Sequence, residues 1–191
     1  MSLKKKILGL LLILATFSIL FLIFIPSFYS NNTAGKFEKE VDINLQFLEK
    51  EEKPIVLIFF GYVGCTDVCT PALHQLNEIY KKIDSKNVSL YFINLLTSAD
   101  PQSVDAFAKS FNPAFKGVYL NQKEIDTVIT KLNVMSTPSL LDKNVIDHSA
   151  FLHLFEKEDG AYKQKYIYTT SPFDMDYIIK DITKIQGELK W

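Results

Sequence analysis

Two cysteines separated by three residues are the most reactive side chains of this chain. Cys65 and Cys69 lie in FGYVGCTDVCTPAL, between a predicted strand and a predicted helix. Both thiols should therefore lie near a helix N-terminus, which stabilises the thiolate. The spacing can present both sulfur atoms to one soft metal ion, and it also permits a disulfide. An inert structural disulfide would close a loop too short to add much stability, so the pattern indicates metal binding or redox chemistry and leaves both open.

Two sulfur ligands leave most metal sites incomplete, and the three histidines are the candidates for a third ligand. His148 immediately precedes a predicted strand. If the fold brings that point beside the cysteine loop, a Cys2His set results, whose softness suits copper; the alternative is a turn or core histidine. His153 is predicted to be a neutral core residue, and His74 a surface residue of the first helix that could serve as an auxiliary ligand.

Alternating strands and helices are predicted to position these residues. A continuous apolar strand at 54–61 leads through the cysteine loop into a helix, with Thr70 as the expected N-cap and Pro71 as the first helical residue. A second buried strand at 88–95 precedes a helix that begins at Pro101 behind an aspartate cap. The remaining predicted elements are a helix behind an Asn121–Glu124 capping box, strands at 150–155 and 162–168, and a final helix started by Ser171 and Pro172. Their order favours an α/β fold with a thioredoxin-like central mixed sheet flanked by helices.

An apolar N-terminal segment precedes this domain. Ile7–Ile25 contains 19 residues without a charge and follows the lysines of Lys4–Lys6. This pattern predicts one uncleaved N-terminal transmembrane helix with its lysines in the cytoplasm. The predicted organisation is a membrane anchor at 1–30, a tether able to add an edge strand or hairpin at 31–53, and the folded domain at 54–191.

The charge composition argues against several classes of function. All 21 basic residues are lysine, and 22 acidic residues bring the formal net charge to −1. Such a chain is a poor nucleic-acid binder, and without arginine it lacks the bidentate fork that phosphate sites favour. Two cysteines in 191 residues cannot build a disulfide-dense scaffold. The sequence therefore predicts no nucleic-acid partner.

Three segments of the chain follow, in order, the pattern of a known family. They are FFGYVGCTDVCTPAL around the cysteines, the ADP that opens the second helix, and VIDHSAFLHLFEKEDGAY around His148. The chain resembles the Sco/SenC family, membrane-anchored thioredoxin-like proteins that bind copper and help to assemble the copper centre of cytochrome c oxidase. The resemblance implies that Cys65, Cys69 and His148 are copper ligands. It also implies that Asp67 and Asp147 lie beside the ligands, where they would tune the site.

The chain departs from the family pattern at four positions. Thr66 and Thr70 stand where a proline usually follows each cysteine, and Gln102 and Ser103 replace an arginine and an aspartate after the ADP. These changes leave the implied ligands in place. They alter the surface that a partner would recognise.

The resulting hypothesis is a membrane-anchored copper metallochaperone. Reduced Cys65 and Cys69 would bind Cu(I) as thiolates with His148 as third ligand, and the same ligands also suit Cu(II). The acceptor implied by the resemblance is cytochrome c oxidase subunit II. A thiol reductant must keep the cysteines reduced in an oxidising compartment. The implied location is the bacterial inner membrane, single-pass, with the domain on the periplasmic or outer face.

The main alternative is an enzyme. A thiol-disulfide reductase that maintains the cysteines of an acceptor protein would use Cys65 as nucleophile and Cys69 as its partner, without need of His148. A peroxidase has weaker support because Tyr62 stands where a threonine is expected. A docking module with an inert cysteine pair has the weakest support. Whether the chain is an enzyme therefore depends on what His148 does.

Overall fold

The described residues fall into two compact units. The computed structural model describes residues 3–29, 35–140, 142 and 145–188. Contacts divide the chain into Met1–Ala34 and Gly35–Trp191. The cysteines and histidines discussed above all belong to the second unit.

The first unit contains a single described helix, α1 (Leu3–Tyr29). Its leucine, isoleucine and phenylalanine side chains between Ile7 and Phe21 are each more than half exposed. In the described part of the chain, no helix reaches the length and apolar character needed to cross a membrane. The transmembrane helix predicted over 7–25 stays a prediction, and the predicted boundary at residue 30 lies outside the described residues.

The second unit is built around a six-stranded mixed sheet. Its strands are β1 (Lys36–Ile43), β2 (Ile55–Gly61), β3 (Val88–Asn94), β4 (Lys116–Tyr119), β7 (Leu152–Glu158) and β8 (Ala161–Tyr168), and a separate pair consists of β5 (Ser136–Pro138) and β6 (Ile146–His148). The helices are α2 (Cys69–Lys82), α3 (Pro101–Phe111), α4 (Gln122–Leu132) and α5 (Met175–Glu188), with 3-10 turns at Gln46–Leu48 and Ser85–Asn87. The sheet order is β1-β8-β7-β2-β3-β4, in which β2, β3 and β4 are parallel. This confirms the predicted mixed sheet flanked by helices.

Helices cover both faces of the sheet because β2 directs apolar side chains to each face in turn. Leu57 and Phe59 belong to one buried cluster, which α2, α3 and α5 complete. Ile58 and Phe60 belong to the other, which α4 completes. Such a continuous apolar run is typical of a strand covered on both faces. Both cysteines pack into the first cluster, so the hydrophobic core supports the cysteine loop directly.

Two helix starts agree with the sequence prediction. The Asp100 side chain accepts a hydrogen bond from the Ser103 amide at the start of α3. The Asn121–Glu124 capping box is present with both of its reciprocal hydrogen bonds. Each cap satisfies amides that the first helical turn leaves unpaired.

Two other helix starts were predicted incorrectly. Helix α2 begins at Cys69 with Val68 at the N-cap position, so Thr70 lies inside the first turn and does not cap it. Helix α5 begins at Met175 rather than directly after Ser171 and Pro172. The Asp174 carboxylate accepts a hydrogen bond from the Tyr177 amide there, which places the acidic cap later than the serine-proline signal suggested.

The strand prediction missed three short strands. Four-residue β4 and three-residue β5 and β6 are too short for a periodic signal. The longer antiparallel elements were found. β1 forms an edge of the sheet, and β7 turns into β8 through Asp159 and Gly160, which both have positive φ, at 51° and 85°. A two-residue turn of that kind matches the twist of a hairpin.

Candidate metal centre

Cys65, Cys69 and His148 come together in the folded chain. Cys65 lies in the loop after β2, Cys69 is the first residue of α2, and His148 is the last residue of β6. One candidate ligand atom from each residue lies within 4.8 Å of the other two. Both cysteines are buried with free thiols, and His148 is half-buried. Three residues spread over more than 80 positions of sequence therefore form one compact group.

A tight turn presents Cys65 to the start of α2. The Cys65 amide donates to the Tyr62 carbonyl at 3.2 Å, and Gly64 within this turn has φ of 90°, a conformation that favours glycine. The Cys69 amide then donates to the Cys65 sulfur at 3.3 Å. Thr70 closes the loop from the other side, since its hydroxyl donates to the Cys65 carbonyl at 2.9 Å. The predicted position of the thiols at a helix N-terminus is thus confirmed.

The orientation of His148 leaves one ring nitrogen available as a ligand. Its Nδ1 lies 3.1 Å from the Ser149 carbonyl oxygen. Because a carbonyl only accepts, Nδ1 carries the proton and Nε2 keeps its lone pair in the neutral ring. Nε2 faces the Cys69 sulfur at 3.4 Å, and the Tyr62 ring packs edge-on against the imidazole at 5.9 Å between centroids. The β5–β6 pair holds this residue, with His148 opposite Ser136.

The pKa values of the two thiols are shifted in opposite directions. A hydrogen bond from the Cys69 side chain lowers the pKa of Cys65 to about 3, although burial opposes this change. The same hydrogen bond to Cys65, together with burial, raises the pKa of Cys69 above its usual range. The pair therefore holds one thiolate and one thiol near neutral pH.

This difference in acidity predicts selective alkylation. In the reduced chain, iodoacetamide should modify Cys65 at a rate that changes little between pH 5 and 8, because the reactive thiolate is already formed above a pKa of about 3. Its burial keeps the absolute rate low, and Cys69 should stay protonated and unmodified. Peptide mass spectrometry of time courses at several pH values measures both rates. A rate for Cys65 that rises about tenfold per pH unit would contradict the lowered pKa.

The donor set fits a soft metal ion. Two sulfur atoms and one imidazole nitrogen converge, and thiolates with imidazole suit copper among the biological metals. Metal binding would displace the remaining thiol proton of Cys69, as it does at other thiolate sites. The fixed tautomer of His148 already directs its free nitrogen toward Cys69.

The two aspartates beside the ligands are exposed. Asp67 accepts a hydrogen bond from the Thr66 hydroxyl at 3.1 Å. Asp147 lies on β6 opposite Thr137. Neither carboxylate belongs to the group of candidate ligands found among the described residues. Their tuning role stays a prediction.

The other two histidines lie outside this group. His153 is 1% exposed and packs edge-on against Phe60 at 5.4 Å. Burial, with a smaller effect of the charge of Lys39, lowers the pKa of His153 to about 3. It is the neutral core residue that its sequence context predicted. His74 is exposed on α2 and packs against Phe111 at 5.1 Å, so an auxiliary ligand role has no support in the described structure.

Two residues that shape the site were missed in the sequence. A Cβ atom on Gly61 would lie 2.6 Å from the Cys69 sulfur, so glycine permits the strand and the helix start to approach. Asn94 is fully buried at the end of β3, where its side chain holds the cysteine loop. The available signals were a glycine directly before the cysteine loop and an asparagine at the end of a predicted buried strand.

The fold and the site together define a class, thioredoxin-like domains in which two thiols and one imidazole converge. The SCO1/SenC family model matches residues 49–185. This chain belongs to the SCO1/SenC family.

Relatives and solved structures agree with this membership. An SCO2-like protein of Rickettsia conorii is 27% identical over 134 residues, which cover 66% of this chain and 65% of the relative. The chain thus spans just under two thirds of that relative's length. Bradyrhizobium japonicum ScoI with copper bound is similar with a TM-score of 0.56 and 25% identity, covering 77% of this chain and 96% of that chain. BsSco, described as a member of the Sco family of cytochrome c oxidase assembly proteins, has a TM-score of 0.54 and 16% identity, covering 78% of this chain and 92% of its own, so it supports the fold alone.

Proposed function

We propose that this chain carries copper to an acceptor protein, using Cys65, Cys69 and His148 as ligands. The observation that carries the proposal is the convergence of the three candidate ligand atoms within 4.8 Å. The copper in the similar ScoI structure supports the choice of metal. The acceptor in this proposal is subunit II of cytochrome c oxidase, whose copper centre the chain helps to assemble. A thiol reductant keeps the pair free, which Cu(I) binding requires.

Copper transfer in this proposal depends on a three-ligand site at the edge of the domain. His148 is only half-buried and lies on a separate pair of three-residue strands, so the imidazole is the ligand that an approaching acceptor reaches first. The two sulfur atoms lie deeper, in the core cluster. Ligand exchange would thus begin at His148 and end at the cysteines.

The proposal also includes anchoring by the N-terminal unit. Ile7–Ile25 has no charged residue, and the described large apolar side chains of α1 are exposed. Exposed apolar side chains on a helix are stable in lipid and unfavourable in water. The lysines of Lys4–Lys6 would remain in the cytoplasm of a bacterial cell, with the copper domain on the periplasmic or outer face.

A Cu(I) titration against a competing chelator tests the copper proposal. The anaerobically reduced domain 35–191, which contains both hydrophobic clusters, should bind one Cu(I) tightly. Cys65→Ser should lower the affinity at least a hundredfold, because it removes a thiolate ligand, and His148→Ala at least tenfold, about 1.4 kcal/mol. His74→Ala is the matched control, since it removes an exposed histidine outside the ligand group, and it should leave the affinity unchanged. Weak copper binding by the unmodified domain, or an unchanged affinity in His148→Ala, would contradict the Cys2His site.

The second candidate function is thiol-disulfide reduction, which the close approach of two free thiols at the start of α2 favours. A thiolate at Cys65 beside a protonated Cys69 is the arrangement with which a dithiol attacks a disulfide and then resolves it. Substrate reduction that persists in His148→Ala, combined with weak copper binding, would support this function over copper transfer.

A further inference from the structure

Asn94 connects the cysteine loop to the neighbouring strand. It is the last residue of β3, directly beside Gly61, the last residue of the parallel strand β2. Its exposure is 0%, whereas asparagine is usually found at the surface. A buried amide must find hydrogen-bond partners, because polar atoms that are buried without a partner destabilise the folded chain.

Both ends of the Asn94 side chain are occupied by backbone groups from two different loops. Its Oδ1 accepts from the Val63 amide at 3.2 Å, in the loop that carries Cys65. Its Nδ2 donates to the Leu96 carbonyl at 2.5 Å, in the loop after β3. The side chain therefore extends the contact between β2 and β3 beyond the last residues of both strands.

The Val63 amide lies inside the turn that carries Cys65 and connects this turn to Asn94. Val63 is the second residue of the turn that the Cys65 amide closes onto Tyr62, and Gly64 is the third. The hydrogen bond from the Cys65 amide to the Tyr62 carbonyl thus joins the two ends of the turn. The direction of the turn relative to the sheet depends on the group that accepts the hydrogen bond of the Val63 amide. Asn94 is the side chain that does so.

We infer that Asn94 is a positioning residue of the metal centre, which fixes the direction of the Cys65 turn through the Val63 amide. Asn94 is not among the three candidate ligands. It acts by keeping the Cys65 sulfur at the site where the Cys69 amide and His148 also converge. Groups that orient metal ligands in this way typically change metal affinity 10- to 100-fold when they are removed. The inference rests on the proposed copper function for its first readout only.

The test uses the reduced full-length chain in mild detergent, with Cu(I) as the probe. Asn94→Ala should lower Cu(I) affinity about tenfold. Asn94→Asp keeps an oxygen that accepts from the Val63 amide but lacks the NH2 group that donates to the Leu96 carbonyl, so it should recover only part of the loss. The charge-transfer absorption band of the Cys65 sulfur with bound Cu(II) should also weaken or shift in Asn94→Ala. If Asn94 had a purely structural role, the bound site and therefore this band would stay unchanged.

Asn112→Ala is the matched control. Asn112 also bridges two segments, donating to the Asn77 side chain at 2.8 Å and accepting from the Ala114 amide at 2.9 Å, but it belongs to the loop after α3. This variant should lose stability and keep its copper affinity within about twofold of the unmodified chain. If the two alanine variants lower copper affinity equally, the effect belongs to general stability and the inference is overturned.

A second readout separates this inference from the copper function. The alkylation rate of Cys65 does not involve copper. Asn94→Ala should raise this rate at least threefold, because a freed turn exposes the sulfur of a residue that is only 5% exposed in the folded chain. Should the unmodified chain bind no copper, the proposed function fails, and this rate still decides the positioning role. Unchanged copper affinity and an unchanged alkylation rate in a folded Asn94→Ala chain would overturn the inference.

Discussion

Replacing Glu51 by glutamine should lower the free energy of unfolding of the domain 35–191 by about 3 kcal/mol at pH 7. Glu51 is 6% exposed, and four donors surround its carboxylate. The Glu52 and Lys53 amides donate to Oε1, both at 3.0 Å, and the Tyr91 hydroxyl and the Lys116 ammonium donate to Oε2, both at 2.5 Å. A glutamine side chain must direct its own NH2 group at one of these donor pairs, so at least one donor loses its acceptor.

The acidity of Glu51 sets the size and the pH range of this effect. Burial would raise the pKa of the carboxyl group, but the hydrogen bonds from Lys116, Tyr91 and the Lys53 amide outweigh burial and lower it from 4.5 to about 2. A carboxyl group with a lowered pKa stabilises the folded state above its unfolded pKa and loses that contribution as the pH falls toward its folded pKa. The difference between the unmodified domain and Glu51→Gln should therefore be full above about pH 5 and should shrink between pH 4.5 and 2.

Urea unfolding at pH 7, 5 and 3, followed by circular dichroism, measures this difference. Glu78→Gln is the control, because it removes a carboxylate from an ion pair with Lys81 whose two side chains are both about half exposed. The urea midpoint of the control should not change measurably, as is usual for exposed ion pairs. A Glu51→Gln difference that stays constant across all three pH values would show that the lost stability comes from packing rather than from the charge.

The Glu51 cluster illustrates which parts of the fold the sequence could not predict. The buried strands and the two capped helices follow from local patterns of residue type, which repeat within a few positions. Glu51 instead accepts hydrogen bonds from Tyr91 and Lys116, which lie 40 and 65 residues away in the sequence. No local pattern distinguishes this glutamate from its neighbours in EKEEK, where the other acids are expected at the surface.

The three candidate ligands could be named from the sequence, and the residues that support them could not. The spacing of Cys65 and Cys69 indicated metal binding or redox chemistry, and the family resemblance added His148 as the third candidate ligand. The threonine after the second cysteine was interpreted as a helix cap, yet its hydroxyl donates to the Cys65 carbonyl at 2.9 Å. Helix α2 can start without a side-chain cap because the Cys65 sulfur accepts the Cys69 amide. The cysteines thus replace the usual capping oxygen.

Replacing Gly61 by alanine should both destabilise the domain and weaken copper binding at the proposed site. The added Cβ atom would lie 2.6 Å from the Cys69 sulfur and 2.9 Å from the Phe92 ring. Cys69 and Phe92 are both 0% exposed and belong to the same core cluster, so neither can move into solvent. Overfilling a packed core of this kind lowers the free energy of unfolding by about 1–3 kcal/mol.

The expected effect on copper affinity depends on which of the two contacted groups the added Cβ atom displaces. Phe92 is fixed in the centre of β3, whereas Cys69 begins α2, so the Cys69 sulfur is the atom that must shift, and its distances to the Cys65 and His148 ligand atoms change. We expect Cu(I) affinity to fall at least tenfold in Gly61→Ala. The misplaced Cys69 sulfur would bind the ion poorly, while the other two ligands stay in position. The Cu(I) competition titration and urea unfolding of the same preparation measure the two effects together.

Gly117→Ala is the control that separates a loss of stability from a loss of copper affinity. A Cβ atom there would overlap the Val104 carbonyl of α3, so this variant should be destabilised at least as much. Gly117 lies on β4, which is separated from β2 by β3, and the ligand group contains no residue of β4 or α3. Its copper affinity should therefore stay within about twofold of the unmodified domain. If both alanine variants lose copper affinity in proportion to their lost stability, the site depends on global packing; if only Gly61→Ala does, glycine at position 61 is what allows the Cys69 sulfur to reach the metal.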